Sequence, residues 1–408
     1  MKQLTSLRVS DLWKEVKTEE QFWGEIKPET RQYLKMLIES ILIEEQTRSL
    51  AAPWHARKAS RLDYRNGFYV RDIESCLGLI ENIKVPRNRL TNIEFSLFKK
   101  YRRKEIALVD LIKDAFLAGL STRKVGEVLE VVLGYKVSAA TVSNIAKSLD
   151  AAVEAFHKKH IQDKYKYLFL DGITLKVKTL CGVVKKTVLV ACGITKDGIK
   201  EIISFRLAPQ ESEDSWFSFV NDLYRRGLYG KNLDLIVLDG SGSLRHAVDI
   251  VYPYNPKQRC WVHKLRNIAS KLPKKGTKKV MDSAKKIYLA NTRKDAEAAF
   301  KSWVKDYKDK YPRAVECLSK DIEDMLTMFY FDESIRSKIR TTNLIERSFR
   351  EIRRRVRPMS CFQNSASVNR IIFEVVSGIN KSWKSKPIKE VKEITQNRAC
   401  CQTHKNPV

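Results

Sequence analysis

Two short apolar segments of this chain end in the same Leu-Asp-Gly tripeptide, KYLFLDG (166–172) and LDLIVLDG (233–240). Runs of this length and hydrophobicity predict strands that are buried on both faces of a sheet. An aspartate after such a strand has two interpretations. It caps the following turn, or it points into the crevice at the carboxyl ends of the strands, where α/β proteins bind ligands. Both interpretations stay open for Asp171 and for Asp239, which together define a candidate site.

The segments around these two aspartates predict a mixed sheet with helices packed against it. From about residue 163 to residue 263 the predicted order is three strands, a helix, a strand, a helix and a strand. The first strand is expected to end at Asp171, and KTLCG (178–182) and TKDG (195–198) are expected to form hairpin turns. The predicted fold class is therefore α/β.

The regions on either side of this sheet have different periodicities. Residues 11–50 have the apolar spacing of amphipathic helices, and residues 60–105 are predicted to be strand-rich or irregular. Residues 264–335 are predicted to be helical throughout, and the tail past about residue 385 is polar and expected to be disordered. The sheet is thus expected to lie between helical regions.

Residues 106–160 predict three helices separated by capping residues. The residues expected to end or begin these helices are Gly119, Ser121 or Thr122, Gly134 and Ser138. The third helix is expected to run through AATVSNIAKSLDAAVEAF (139–156). This pattern is typical of a helix-turn-helix module, and its candidate groove-facing residues are Ala140, Thr141, Asn144 and Lys147. An ordinary helical bundle has the same spacing, so periodicity alone leaves both interpretations open.

The segment TTNLIERSFREIRRRVRP (341–358) predicts a helix that stops before Pro358. If Asn343 caps this helix, Glu346 occupies the third helical position, where a capping-box glutamate belongs. The same face continues with Arg350, Arg353 and Arg357, and a separate apolar stripe consists of Ile345, Phe349, Ile352 and Val356. Glu346 either belongs to a capped, solvated helix or holds a metal ion beside arginines that bind a phosphate backbone.

The positive charge is concentrated downstream of the first helices. The 77 Lys and Arg against 48 Asp and Glu give a formal charge of +29, whereas residues 1–55 hold 8 basic and 9 acidic side chains. Such clustering favours a polyanion such as nucleic acid as partner, with an affinity that falls steeply with salt. The sequence shows neither a signal peptide nor an apolar run long enough to span a membrane. Eight irregularly spaced cysteines predict free thiols in a reducing cytosol.

A basic segment follows the last predicted strand. Residues 256–280 carry nine Lys and Arg and no acidic residue, which suits either a solvated face or a DNA-contact surface. Cys260 and His263 have the spacing of half a zinc site, but a structural zinc site needs four ligands. The next histidine is His404 in the tail, so zinc is not expected. Trp261 suits a core position better than stacking on an unpaired base.

Together these motifs point to one known family. The segments that carry the likeness are DG at Asp171, LDG at Asp239, RCWVHKLRN (259–267), TTNLIERSFREIRRRVR (341–357), DYRNGFYVRDIESCLGLIENIKVPRNR (63–89) and LSTRKVGEVLEVVLGYKVSAATVSNI (120–145). They resemble the IS256/Mutator family of DDE transposases over roughly residues 40–385, and the role of residues 1–40 is left unassigned.

This resemblance implies an RNase H-like catalytic domain that is interrupted by an all-helical insertion and preceded by a helix-turn-helix-type region. It implies that Asp171, Asp239 and Glu346 are the catalytic ligands of Mg²⁺, for which Mn²⁺ substitutes. Cys260 and His263 match the family's C-x-x-H motif, whose implied role is to shape the site or to contact DNA ends. No catalytic position of the family is missing from this sequence.

The resemblance and the periodicity together give expected domain boundaries and DNA contacts. The domains are an N-terminal helical region at 1–60, a DNA-binding region at 61–160 with helix-turn-helix-like helices at 106–150, a catalytic core at 161–263 and 336–385, an all-helical insertion at 264–335 and a polar tail at 386–408. The expected DNA-contact residues are Thr141, Asn144, Lys147, Cys260, His263, Lys264, Arg266, Arg347, Arg350, Arg353, Arg354 and Arg357.

The expected function is DNA transposition by strand cleavage at terminal inverted repeats and strand transfer into target DNA. The expected partners are double-stranded DNA and further copies of the chain, as a homodimer or larger assembly in a prokaryotic, nucleoid-associated cytoplasm. Two alternatives remain: a non-catalytic DNA-binding regulator derived from a transposase, and an RNase H-like nuclease or Holliday-junction resolvase. The intact acidic triad argues against the first, and the helix-turn-helix-like region and long helical insertion argue against the second.

Overall fold

A computed structural model describes residues 18–56, 61–96, 104–273, 277–357 and 361–392, and the chain divides into two compact units, residues 1–148 and 149–408. Each unit has its own set of elements and its own buried residues. The extreme N-terminus and His404 in the polar tail lie outside the described residues. The expectation of disorder past about residue 385 is wrong for residues 386–392, where the Ile388 amide donates to the Gly198 carbonyl at 2.8 Å and Val391 is buried.

The first unit begins with a helix and a hairpin. Helix α1 (Glu19–Leu50) is a single 32-residue helix with Pro28 inside it, where the sequence predicted helices. Strands β1 (Arg65–Ser75) and β2 (Gly78–Asn88) pair antiparallel within the segment predicted to be strand-rich. Their core consists of Ile38, Leu42, Ile80, Ile83, Val85 and Phe95. The alternating apolar residues of the hairpin therefore bury one face against α1.

Three short helices complete this unit, and their predicted caps are confirmed. They are α2 (Ile106–Leu117), α3 (Thr122–Leu133) and α4 (Ala139–Lys147). Ser121 accepts a hydrogen bond from the Lys124 amide and Ser138 from the Thr141 amide, while Gly134 ends α3 in the left-handed region at φ 73°.

The third of these helices is shorter than predicted. It ends at Lys147, and a separate helix α5 (Asp150–Lys158) follows and belongs to the second unit. Asp150 accepts two hydrogen bonds from Arg370, at 2.6 and 2.7 Å. This long-range pair helps hold the start of α5 in the second unit, and a tertiary contact of that kind leaves no mark on helical periodicity.

The second unit contains a five-stranded mixed sheet, as the sequence predicted. Its strands are β3 (Tyr165–Thr179), β4 (Gly182–Thr195), β5 (Lys200–Ala208), β6 (Leu235–Leu238) and β7 (Lys257–Arg259), in the spatial order β5-β4-β3-β6-β7. The pairs β3–β4 and β4–β5 are antiparallel, whereas β3–β6 and β6–β7 are parallel. Helices α6 (Glu213–Arg225) and α7 (Gly242–Val251) pack their apolar residues against it.

The remaining named elements of the second unit are helical, and Phe362 adds an isolated bridge to Val177 of β3. The helical elements are α8 (Trp261–Ala269), α9 (Thr277–Tyr288), α10 (Arg293–Tyr307), α11 (Pro312–Ser319), α12 (Ile322–Leu326), a 3₁₀ turn (Thr327–Tyr330), α13 (Glu333–Ile339), α14 (Asn343–Val356) and α15 (Ser365–Lys384). The helices expected between residues 264 and 335 are therefore present. A search of the described residues found no helix with the length and hydrophobicity of a membrane span.

Candidate active site

Asp171 and Asp239 lie side by side where the sheet changes from antiparallel to parallel pairing. The expectation that a strand ends at Asp171 is wrong: β3 continues to Thr179 and pairs with β4 on both sides of Asp171. Its parallel neighbour β6 does stop at Leu238, which is in register with Leu170. Asp171 therefore lies where β3 loses its partner on one side, and Asp239 is the first residue beyond that partner.

The two aspartates share a local hydrogen-bond pattern. The Gly172 amide donates to Asp171 Oδ1 at 2.8 Å, and the Gly240 amide donates to Asp239 Oδ1. The other oxygen of Asp171 is buried and has no hydrogen-bond partner among the described residues. A buried polar atom without a partner costs about 1–3 kcal/mol, so this oxygen favours a ligand-binding role for Asp171 over a turn cap.

His263 joins the two aspartates. Ligand atoms of Asp171, Asp239 and His263 all lie within 4.8 Å of one another. The Nδ1 atom of His263 is 3.6 Å from Asp239 Oδ1 and 3.5 Å from the Thr342 hydroxyl. Because His263 lies in the first turn of α8, this helix brings it to the carboxyl end of β6.

Cys260 links the same helix to α14. It is the N-cap residue of α8, is buried, and accepts a hydrogen bond from the Thr342 amide at 3.3 Å. Thr342 in turn is the residue before the first turn of α14. The C-x-x-H spacing therefore places one residue in a structural contact and the other, His263, among the acids. Among the described residues, Cys260 and His263 do not belong to a common group of metal-ligating side chains of the kind that a four-ligand zinc site needs.

Glu346 approaches the cluster from α14. The capping-box expectation is wrong, because the N-cap residue is Thr342, which makes no side-chain capping bond in the described structure, and Glu346 is the fourth helical residue. Its Oε1 atom lies 3.1 Å from Arg266 Nη1 and 3.9 Å from His263 Nε2. Its carboxylate is therefore adjacent to the cluster but engaged with Arg266, outside the group formed by Asp171, Asp239 and His263.

The charges of this site are strongly coupled. Burial, together with the charge of Asp239, raises the pKa of Asp171 to about 7, although His263 opposes the rise. Burial lowers the pKa of His263, but its hydrogen bond to Cys260 and the charges of Asp239 and Asp171 outweigh burial and raise the pKa to about 9. Near neutral pH the Asp171 carboxyl is therefore only partly ionised, and the cationic imidazole of His263 offsets the negative charge of the two aspartates.

A further acid near this site was missed by the sequence analysis. Glu211 is exposed as a residue, and its carboxylate accepts a partly buried hydrogen bond from the Trp216 indole at 3.3 Å. Burial raises its pKa and the charge of Asp239 raises it further. A Cβ added at Gly172 would lie 3.8 Å from Glu211 Cδ, which places this carboxyl beside β3. The next residue, Ser212, caps α6 with its side chain. Only the three-dimensional structure reveals that Glu211 lies close to Gly172 and near the charge of Asp239.

Comparison with known proteins places this chain in a family. The family model described as "Transposase, Mutator family" matches residues 10–386. The chain belongs to this family. The transposase of insertion sequence ISRM5 from Rhizobium meliloti is 32% identical over 86% of this chain and 88% of its own length. The transposase of IS256 in transposon Tn4001 from Staphylococcus aureus is 32% identical over 87% and 90%.

A solved structure is far less similar to this transposase. The Drosophila P element transposase strand transfer complex is 11% identical and has a TM-score of 0.27 over 68% of this chain and 80% of its own.

The other residues that were expected to contact DNA differ in exposure. Asn144, Lys147, Arg266, Arg347, Arg350, Arg353, Arg354 and Arg357 are exposed, and Thr141 is partly buried. Lys264 is buried, with its ammonium on Asp321 and on the Cys317 carbonyl at 3.0 Å. Lys264 and the buried Cys260 are therefore not available as DNA contacts in this structure, which corrects both assignments.

The basic segment 256–280 is likewise not one surface. Lys257 and Arg259 are buried, and their partners are Asp249 and Asp321 respectively. Asp249 lies on α7 and Asp321 lies just before α12, so the charges of these two β7 side chains are paired within the fold. Trp261 is buried and its indole donates to the Met325 carbonyl at 2.9 Å, which confirms its expected core position.

The metal-free transposase should lose stability as the Asp171 carboxyl ionises. A pKa raised from 3.8 to about 7 contributes stability that is complete below pH 3.8 and is lost as pH rises through 7. The loss is on the order of 4 kcal/mol. Asp171→Asn, which cannot ionise, should therefore raise the Tm relative to the parent at pH 8 by several degrees more than at pH 5, measured by scanning calorimetry in EDTA.

Asp234→Asn is the matched control for this measurement. Asp234 precedes β6 at its opposite end and forms a partly exposed ion pair with Lys166 at 3.4 Å. Its Tm difference from the parent should be the same at both pH values. An Asp171→Asn difference that is also independent of pH would show that burial of this carboxyl does not oppose its ionisation.

Proposed function

We propose that this transposase cleaves and joins DNA strands at a site where Asp171, Asp239 and Glu346 hold divalent cations. The observation that carries the proposal is the convergence of Asp171 and Asp239 at the end of β6, with Glu346 on the facing helix α14. Its sheet, with three antiparallel strands followed by two parallel ones, supports an RNase H-like core. Residues 161–263 and 336–385 would form that core, with 264–335 as an insertion.

The residues at this site fit a hard divalent cation. Carboxylate oxygens are the ligands that Mg²⁺ prefers, and Mn²⁺ accepts the same donor set. The orphaned buried oxygen of Asp171 provides an acceptor that no described side chain uses. When bound, two such ions would activate the attacking oxygen and stabilise the leaving oxygen of a phosphodiester.

Two cationic side chains of this chain offset the negative charge of the acids at the site. His263 carries its positive charge between Asp239 and Glu346, and Arg266 holds the Glu346 carboxylate at 3.1 Å. Both cations offset the acids, and Glu211 adds a further carboxylate close to Gly172. Thr342 fixes the start of α14 through its amide hydrogen bond to Cys260, which positions Glu346 one turn later.

We propose that two regions bind the DNA. The helix-turn-helix-like helices α2–α4 would bind the terminal inverted repeats, and the exposed arginines of α14 would hold the phosphate backbone next to the acids. Bringing two ends of an element together requires at least two copies of the chain, so the active assembly would be a homodimer or larger.

The proposal is tested with purified full-length protein, a labelled duplex that ends in the element's terminal repeat, and a supercoiled target plasmid. Mg²⁺ or Mn²⁺ should give strand cleavage at the repeat end and joined product in the plasmid, and EDTA should give neither. Repeat binding without cleavage would identify a non-catalytic regulator. Cleavage without any joined product would identify a nuclease or resolvase.

The role of α4 is tested by two substitutions one turn apart. Asn144→Ala should weaken binding to the terminal repeat by about tenfold or more and leave unrelated DNA unaffected, because an amide reads base edges. Lys147→Gln should weaken binding to both sequences and reduce the salt slope by about 0.9, because an ammonium contacts phosphate. Fluorescence anisotropy across a KCl series measures both effects.

Lys301→Gln on α10 is the control, since Lys301 is exposed and lies outside α2–α4. Equal behaviour of the Asn144, Lys147 and Lys301 variants would mean that α4 does not enter a DNA groove.

A further inference from the structure

A cavity of about 300 Å³ lies in the second unit, beside the first turn of α14. It is bordered by the end of β4, the start of β5, helix α13 and the segment around Ile388. Its lining residues are Ile194, Lys200, Ser337, Lys338, Thr341, Asn343, Leu344, Arg347 and Ile388. We call this cavity the Lys200 pocket.

The Lys200 pocket concentrates positive charge. Lys200, Lys338 and Arg347 line it, and none of the described residues in its lining is acidic. Lys338 has a partly exposed partner, Glu390, at 3.4 Å. The Lys200 ammonium has no carboxylate within ion-pair distance among the described residues and lies 5.4 Å from the centre of the Trp383 ring. Positive charge in the pocket thus exceeds the negative charge around it.

This excess is unfavourable in the free protein. Burial lowers the pKa of Lys200, and the positive charges of Arg347, Lys338 and Lys386 lower it further. Folding brings these cations together at a cost in repulsion that an anion would remove. Three cations around one cavity, of which only Lys338 has an acidic partner among the described residues, therefore indicate a binding site for an anion.

The neutral groups of the pocket suit a tetrahedral oxyanion. Ser337, Thr341 and Asn343 offer hydroxyl and amide donors. Asn343 and Leu344 are the first residues of α14, and the first N–H groups of a helix have no intrahelical acceptor. Amide, hydroxyl, guanidinium and ammonium donors around one cavity match the oxygens of a phosphate group.

The position of the pocket relates it to the candidate active site. Arg347 follows Glu346 on α14, and Thr341 precedes Thr342, whose hydroxyl lies 3.5 Å from His263. Successive residues of a helix point about 100° apart, so the pocket and the acids flank the same first turn of α14. A phosphate in the pocket would belong to the strand that passes the acids.

We propose that the Lys200 pocket binds a backbone phosphate of the DNA strand that is cleaved. This phosphate would be a neighbour of the phosphate that reacts, and its binding would fix the position of the strand along the acids. The inference rests on the proposed function and adds a binding site in which Lys200 and Lys338 act together with Arg347. An inorganic phosphate compound has the same chemistry, and the experiment separates the two sources.

The test compares DNA binding by the full-length parent, Lys200→Gln and Lys338→Gln in anisotropy titrations over 50–300 mM KCl. Each substitution should weaken binding to terminal-repeat DNA about three- to tenfold at 100 mM KCl and lower the salt slope by about 0.9. Lys301→Gln, an exposed lysine of α10, is the control and should match the parent. Salt slopes of both pocket variants equal to the parent's would overturn the proposal.

Three readouts make the outcome specific. Replacing single phosphates near the cleavage site by neutral methylphosphonates should identify one position that weakens parent binding but has no added effect in Lys200→Gln. The Tm of Lys200→Gln should equal or exceed the parent's, because repulsion is relieved. If the Tm of this variant falls, the salt slope of DNA binding by Lys338→Gln tests the proposal instead. If pyrophosphate alone raises the parent's Tm while the DNA salt slopes stay equal, the ligand is a free phosphate compound and the DNA assignment is wrong.

Failure of this inference differs from failure of the proposed function. A parent protein that neither binds nor cleaves terminal-repeat DNA contradicts the proposed function itself. A parent that does both, with pocket variants that behave like the parent, contradicts only the pocket.

Discussion

Asp239→Asn is expected to abolish Mg²⁺-dependent strand cleavage and to leave binding of terminal-repeat DNA unchanged. Asp239 is the first residue after β6 and lies within 4.8 Å of Asp171 and His263, so its charge is central to the cluster. Removing one carboxylate ligand should cost about 4 kcal/mol of transition-state stabilisation, or roughly 10³-fold in rate. Single-turnover cleavage of a labelled repeat-end duplex measures the loss, and anisotropy measures binding.

The same strand supplies the control. Asp234→Asn changes an identical side chain at the other end of β6, where it pairs with Lys166, and should cleave at the parent's rate. Cleavage by Asp239→Asn within tenfold of the parent would remove Asp239 from the catalytic site. Loss of repeat binding together with cleavage would show a folding defect, which the Tm of this variant would reveal.

Local signals were sufficient for much of the fold. The caps at Ser121, Gly134 and Ser138 and the hairpin turns of the sheet were predicted because each depends on a few neighbouring residues. The end of β3 was not predicted, because Asp171-Gly172 looks like a strand end locally. Pairing with β4 along the whole of β3 keeps that segment extended, and this pairing is a tertiary property.

The candidate site was predictable only in part, for the same reason. Two identical strand-end motifs indicated that Asp171 and Asp239 would meet, since strand ends share an edge. Glu346 was assigned a capping position one residue too early, because Thr342 and not Asn343 precedes the helix. The proximity of Glu211 and the burial of Lys264 depend on partners far away in sequence, Gly172 and Asp321, and no spacing rule contains them.

Glu346→Gln is the second substitution with a large expected effect. The amide keeps the size of the side chain and can still accept a hydrogen bond from Arg266, so the fold should be retained while the ligand charge is lost. Cleavage should fall about 10²- to 10³-fold, in proportion to a few kcal/mol of lost charge stabilisation. Glu351→Gln, on the same helix and paired with Arg354 at 2.9 Å, is the control and should cleave normally.

Arg266→Gln separates the two roles that Glu346 can have. If Glu346 serves only to hold Arg266, the two variants remove the same ion pair and should lose cleavage equally. If Glu346 is a cation ligand, Arg266→Gln releases the carboxylate without removing it, and its loss should be far smaller than that of Glu346→Gln. Cation affinity in the absence of DNA, measured by Mn²⁺ electron paramagnetic resonance, should then rise in Arg266→Gln and fall in Glu346→Gln. Opposite shifts require that the carboxylate leaves Arg266 when it binds a cation, whereas parallel shifts would assign Glu346 a structural role.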